Sequence, residues 1–307
     1  MILEFDKKKF KESFNIEAVP SINRVCQSNN IISGSICFNL KPDAHFYKEL
    51  SKYHDLIVFV PKDGNAELST DLNPSILVIQ VINPRFSYVY ACINCIQLRL
   101  KQLAKNPSDY YADSSFIEES AVLMPGVYIG PGCSIGRNVY LAPGVKLIEN
   151  VSIGDNTVIG ANTVVGQWGF GIERNNGKPR TLYPHGGDAY KMPHFGGVVI
   201  GSDCDIGALN TIAAGAIEPT ILGDNVQTDD HVHIGHNCNI DRSVLITACS
   251  EISGSVRIEE EAWLGPNCSI MQKIVIGKES VVGIGSVVRK SIPENSVVFG
   301  NPSKKLK

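Results

Sequence analysis

The sequence predicts a mainly β protein: a long parallel β-helix of six-residue repeats, preceded by a small α/β domain. Three observations carry that prediction. An aliphatic residue recurs at every sixth position from about residue 115 to 291, a small or β-branched residue lies two positions before most of them, and the first 105 residues lack the repeat. A period of six is neither the 3.6 of an α-helix nor the alternation of an ordinary strand. Self-similarity at a fixed short period marks a solenoid.

The series begins with Ile117, Leu123, Ile129, Ile135, Leu141, Leu147, Ile153, Ile159 and Val165, and Ile200, Ile206 and Ile212 resume it. After a change of phase it runs from Leu222 to Val288, with Thr228 the one exception. Val127, Cys133, Val139, Val145, Val151, Thr157 and Thr163 form the companion series, and glycine often follows the aliphatic residue. The pattern calls for short extended segments joined by tight turns, with glycine expected to meet the unusual turn dihedrals. Three segments per triangular coil place residues 18 apart on neighbouring coils, about 4.8 Å away.

Two breaks interrupt the repeat. The longer, residues 166–199, is rich in Gly, Pro, aromatic and basic residues. Loops of that length in a rigid scaffold are usually functional. The shorter, around AAGAIEPT, separates Ile212 from Leu222. The expected organisation is an α/β domain over 1–105, the repeat domain over 106–292 and a tail over 293–307. Within the first domain, DLIVFV (55–60) and SILVIQV (75–81) read as buried strands, and the stretch from Pro84 to about Lys105 as a helix.

Composition bounds the class. The chain has 307 residues, 43% of them hydrophobic and 19% charged, with a formal net charge of -3. That balance gives no sign of nucleic-acid binding, and no run is long and apolar enough for membrane insertion. The charged start MILEFDKKKFKESF has no apolar signal region, and nine irregularly spaced cysteines suit a reducing compartment, so a cytoplasmic protein is expected. Cys92 and Cys95 form a CxxC inside an apolar, helix-like stretch without a second pair, which argues for a structural role.

A solenoid core is chemically inert, so chemistry must come from outward side chains or loops. They concentrate in TDDHVHIGHNCNI, which holds Asp229, Asp230, His231, His233, His236 and Asn237. Three histidines within six residues invite a metal, as in the β-helical carbonic anhydrases of the gamma type. Residues two or three apart on this repeat, however, lie on different faces or corners, so no metal is expected. The alternative is a general base, with Asp229 as the carboxylate that fixes its tautomer. The 18-residue spacing places Gly254 and Ser255 one coil beyond His236 and Asn237, and Gln272 and Lys273 two coils beyond. A small residue beside His236 leaves a recess in which the Gly254 N–H is a candidate oxyanion donor.

The repeat, the phrase DDHVHIGHNCNI and the pieces WGFGIERNNGK and PHFGGVVIG together resemble the hexapeptide-repeat sugar N-acyltransferases, most of all the UDP-3-O-acylglucosamine N-acyltransferases of lipid A synthesis. The resemblance implies a left-handed β-helix and a homotrimer with sites between neighbouring helices. It also implies His236 as base, Asp229 as its carboxylate partner and Gly254 as oxyanion donor. In the first domain GSICFNL, Tyr47 and VINPRFSYVYA are similar to that family's uridine-binding domain, with Phe38 and Tyr47 as the pair that stacks on uracil. His233, Asn237 and Phe170 are expected to contact the sugar substrate.

Two departures redirect the reading. Ala213 and Ala214 stand where the lipid A enzyme has an Asp-Arg pair, and Lys273 stands at its second histidine. The ending SVVFGNPSKKLK is similar to the tail of acyl-CoA-dependent sugar acyltransferases rather than to helices that engage acyl carrier protein. Ser255, Lys273, Asn301 and Lys304 are then expected along the path of CoA. The expected function is transfer of a short acyl group from acyl-CoA, a cosubstrate rather than a bound cofactor, to the amine of a nucleotide-linked amino sugar. The alternatives are the lipid A enzyme using acyl carrier protein, a sugar O-acyltransferase, and a non-catalytic nucleotide-sugar-binding protein.

Overall fold

The computed structural model describes residues 4–62, 72–97, 115–174 and 189–306. The chain divides into two compact units, one of residues 1–105 with 170–193, the other of 106–169 with 194–307. Among the described residues no helix is long and apolar enough to cross a membrane.

The first unit contains β1 (Glu4–Phe5), α1 (Lys7–Phe14), β2 (Arg24–Val25), β3 (Ser35–Phe38), α2 (Ala44–Leu50), β4 (Leu56–Pro61), β5 (Ile76–Val81), α3 (Pro84–Cys95) and β6 (Ile96–Gln97). Strands β2 to β5 form one parallel sheet in sequence order, with α2 as the crossover between β3 and β4. An acid or amide side chain starts each of the three helices: Asp6 accepts from Lys9 N at 2.9 Å, Asp43 from Phe46 N at 2.7 Å and Asn83 from Phe86 N at 3.0 Å. Strand β4 is buried along its length, whereas β5 is an edge strand and only half-buried. Helix α3 stops at Cys95 because Ile96 turns extended and pairs with β1. The expected helix to about Lys105 is therefore interrupted at Ile96–Gln97, and residues 98–105 lie outside the described residues. Cys92 and Cys95 are buried in α3. Burial pushes both thiols up, Cys95 to about 11, which favours the protonated thiol near neutral pH.

The second unit is a β-helix of three sheets, parallel except where Lys304–Lys305 pairs antiparallel with Val297–Phe299 at the end of one of them. Sheet I includes Thr220–Leu222 and Asn239–Ile240, sheet II Gln227–Thr228 and Leu245–Ile246, and sheet III Thr211–Ala214 and His233–Ile234. Neighbouring coils pair 18 residues apart, as in Tyr140 with Val158 and His233 with Glu251. Across the long insertion the offset becomes 47, and across the short one 22. The aliphatic series points inward and forms one continuous core, each side chain stabilising by roughly 1.5–3 kcal/mol. Thr228 fits because Asn210, also buried, donates Nδ2 to its Oγ1 at 2.8 Å, so the two polar groups satisfy one another. Val297–Phe299, in the segment expected as a tail, pairs with Val281–Val282, and Val298 joins the core.

The turn chemistry corrects one expectation. The left-handed positions at the corners are filled mostly by non-glycine residues, such as Asn138, Asn156 and Asn162 with φ of 55–58°, and asparagine tolerates that region well. Glycine is required chiefly because consecutive coils nearly touch. A Cβ on Gly160 would lie 2.4 Å from the Gly207 carbonyl carbon.

Candidate active site

Wherever the chain turns from sheet III into sheet I it builds the same edge of the solenoid. That edge carries the long insertion after Trp168, the bulge 215–219, His236 with Asn237, Gly254 with Ser255, Gln272 with Lys273, and Arg289 with Lys290. Asn237, Ser255 and Lys273 hold equivalent turn positions, with φ of 58°, 61° and 62°. Ser255 N donates to His236 O at 2.8 Å and Lys273 N to Gly254 O at 3.2 Å.

The His236 imidazole is half-buried on this edge. Its Nδ1 lies 3.0 Å from Asn237 Oδ1. The amide of Asn237 can face only one way, because Oδ1 accepts from Ala216 N at 3.0 Å and Nδ2 donates to Glu218 O at 2.9 Å. An oxygen facing Nδ1 requires the hydrogen on Nδ1 and leaves the lone pair on Nε2, the tautomer of a general base. The ring sits directly over Gly254, where an added Cβ would fall 2.6 Å from Nε2. The Gly254 N–H, like those of His236 and Gln272, has no acceptor among the described residues.

The remaining expected residues are more dispersed. Asp229 stands on the preceding corner, exposed, with Oδ1 accepting from Asp230 N at 2.8 Å. Within the chain it is therefore Asn237, not Asp229, that meets the Nδ1 of His236. His233 projects from sheet III with Nδ1 2.6 Å from Thr211 Oγ1. His231, His233 and His236 thus occupy a corner, a sheet and the next corner. Phe170, 82% exposed, belongs to the first unit.

The expected uracil-stacking pair does not form. Tyr47 is 3% exposed in the core under β3 and β4, while the half-buried Phe38 packs on Tyr88 with ring centroids 5.2 Å apart. Asn301 and Lys304 are exposed beside a cavity of about 420 Å³ that is lined by Arg289, Lys290, Ser291, Ser303 and Lys305 among others. The alanines at the place of an Asp-Arg pair are buried, and Thr220 Oγ1 donates to Ala213 O at 2.7 Å.

Two groups escape a reading of the sequence. The bulge 215–219 supplies both backbone partners of Asn237. His194, at the return of the long insertion, lies beside His236 with ring centroids 5.4 Å apart and planes at 77°. Its one signal is its place in PHFGG, just before the repeat resumes.

Residues 114–148 and 135–167 match the family model of the bacterial transferase hexapeptide (six repeats), and residues 255–290 that of the hexapeptide repeat of succinyl-transferase. Over 114–167 and 255–290 the β-helix of the second unit therefore matches hexapeptide-repeat models. Over 72 residues the chain is 46% identical to UDP-3-O-acylglucosamine N-acyltransferase of Dechloromonas aromatica, covering 24% of this chain and 21% of that protein. It is 35% identical over 114 residues to UDP-3-O-acylglucosamine N-acyltransferase 2 of Rhodopseudomonas palustris, covering 37% and 31%. The chain thus spans about a fifth to a third of the length of the curated relatives it matches. A solved UDP-N-acetylglucosamine acyltransferase from Bacteroides fragilis aligns with 63% of this chain and 72% of its own, at 20% identity and a TM-score of 0.46.

Proposed function

We propose that the protein is an acyl-CoA-dependent N-acyltransferase, acting in the cytoplasm as a homotrimer on the amine of a nucleotide-linked amino sugar for surface polysaccharide or glycan synthesis. The observation that carries this reading is the keyed tautomer of His236, which leaves the Nε2 lone pair free while the ring face at Nε2 lies over Gly254. The names of the relatives support the reaction class and a UDP-sugar as acceptor.

The neutral amine attacks the thioester carbonyl carbon, so that a C–N bond forms and the C–S bond breaks. His236 Nε2 takes the amine proton and returns it to the departing thiolate. The oxyanion that develops on the carbonyl oxygen is met by the Gly254 N–H. The first unit holds the nucleotide, so that remote binding energy positions the amine. Asp229 and His233, outside the reach of His236 in one chain, are assigned to the substrate side of the site.

For the donor, the cavity of Arg289, Lys290 and Lys305 lies on the same edge as His236, three coils or about 14 Å along it. None of the three cations has an ion-pair partner among the described residues. That supports a donor with phosphates at the far end of a long arm, and several cations favour the polyphosphorylated CoA over the single phosphate of a carrier-protein arm. The names of the relatives favour a second reading, UDP-3-O-acylglucosamine N-acylation from acyl carrier protein.

The test is a panel of CoA and carrier-protein thioesters against amino-sugar nucleotides, read by mass spectrometry. Acyl transfer from CoA thioesters is expected, and transfer from the carrier protein alone would install the second reading. Replacing His236 with Ala should lower turnover by roughly 10²–10⁴-fold while sugar-nucleotide binding persists. Unchanged turnover would remove the mechanism.

A further inference from the structure

The long insertion does more than leave the solenoid and come back. Its return limb is fastened to the bulge: Phe195 N donates to Ala216 O and Gly196 N to Gly215 O, both at 2.9 Å. Ala216 is also the residue whose N–H fixes the Asn237 amide. A single short bulge therefore holds both the segment that carries His194 and the amide that meets His236 Nδ1.

His194 is 4% exposed, so its imidazole is closed to a substrate. One group it meets is His236, edge to face, an arrangement that aromatic rings favour. Gly169, at the departing end of the insertion, leaves room for both rings. A Cβ there would come within 3.1 Å of His194 Nε2 and 3.1 Å of His236 Cβ. The outer torsion of a histidine side chain is soft and roughly two-fold. A half-turn about it would carry Nδ1 away from Asn237 and exchange Nε2 for carbon, so the ring needs a wall to hold one orientation.

We propose that His194 is the positioning residue that supplies this wall, locking the His236 ring with Nδ1 on Asn237 and Nε2 available as the base. The inference rests on the reading of His236 as general base. It adds that the insertion delivers part of the site from its own closed end.

The test compares His194→Ala with His194→Phe, which keeps a ring of the right shape without its nitrogens. Acyl transfer gives kcat and KM, and ¹⁵N NMR of ring-labelled histidine gives the His236 tautomer. His194→Ala should lower kcat by roughly 10–100-fold with little change in KM, and turn a single Nδ1–H signal into a mixture. His194→Phe should recover most of the rate and the single tautomer. Wild-type rate and tautomer in His194→Ala would overturn the proposal, as would a His194→Phe protein as impaired as His194→Ala. If His194→Ala fails to fold, His194→Phe alone decides, by keeping or losing rate and tautomer. Should even the wild type transfer no acyl group, the proposed function falls, while the tautomer still judges the positioning role.

Discussion

At the scale of single residues, the candidate site depends on what is missing beside His236 as much as on what is present. Gly254 is required because the imidazole occupies the space of its Cβ. A Gly254→Ala protein should fold, since a neighbouring side chain rather than the coil backbone is what the methyl meets first. Its turnover should drop on the order of 10²-fold as the ring is pushed off its position. Steady-state kinetics beside a thermal melt will separate the two, and undiminished turnover would place the ring elsewhere. The pairing of His236 with Gly254 was legible in the sequence, because both lie in an unbroken stretch of 18-residue register. His194 was not, because an insertion of unknown path separates it from the ring it meets. Tyr47 misled for another reason: an aromatic residue looks the same in a sequence whether it awaits a base or fills a core, and here it fills the core.

At the scale of elements, coils are tied by ladders of like position. Arg242, Glu260 and Lys278, each 18 residues from the next, form one such ladder on the edge between sheets I and II, with Glu260 bonded to both cations. The two adjacent cations, Arg242 first, hold the Glu260 carboxyl below the usual carboxylate range. A depressed carboxylate contributes stability at pH values above its unfolded pKa of about 4.3, and loses it as pH falls through the lowered folded value. Glu260→Gln should therefore melt at a lower temperature than wild type near neutral pH, and the gap should close in acid and narrow in salt. A gap independent of pH would assign the loss to packing. The repeat announced these strands and their partners. It did not announce that non-glycine residues, asparagine the commonest, would take most left-handed corners, because six-residue periodicity fixes which side chains point inward but not which residue bears the turn.

At the scale of the whole molecule, the proposed trimer calls for an apolar face, and sheet II offers one. Val122, Tyr140, Val158, Leu245 and Trp263 all project from it, Trp263 with 39% of its surface exposed. Replacing both Leu245 and Trp263 with Glu should convert trimer to monomer in light scattering, because a charge carried into an apolar contact is left unpaired. A trimer that survives the double change would place the contact elsewhere. The first unit was the part least legible in the sequence. Two of its strands, β4 and β5, were found, but the hairpin Ile172–Arg174 with Ala189–Lys191, drawn from the long insertion, rests on α3 through an Arg85–Glu173 ion pair of 2.7 Å and Tyr190 against Phe86 and Tyr90. No local pattern announces a partner more than 80 residues away.

The change of offset from 18 to 47 and then back by way of 22 has a consequence for how such a protein diversifies. Each coil needs its neighbour's backbone, not a fixed count of residues between them, so an insertion at a corner renumbers the pairs and disturbs the ladder only locally, as at the bulge between Val165 and Gln167. Loop length and core stability are separate variables here. A new specificity can be tried by exchanging what hangs from one edge, while the staircase behind it is inherited unchanged.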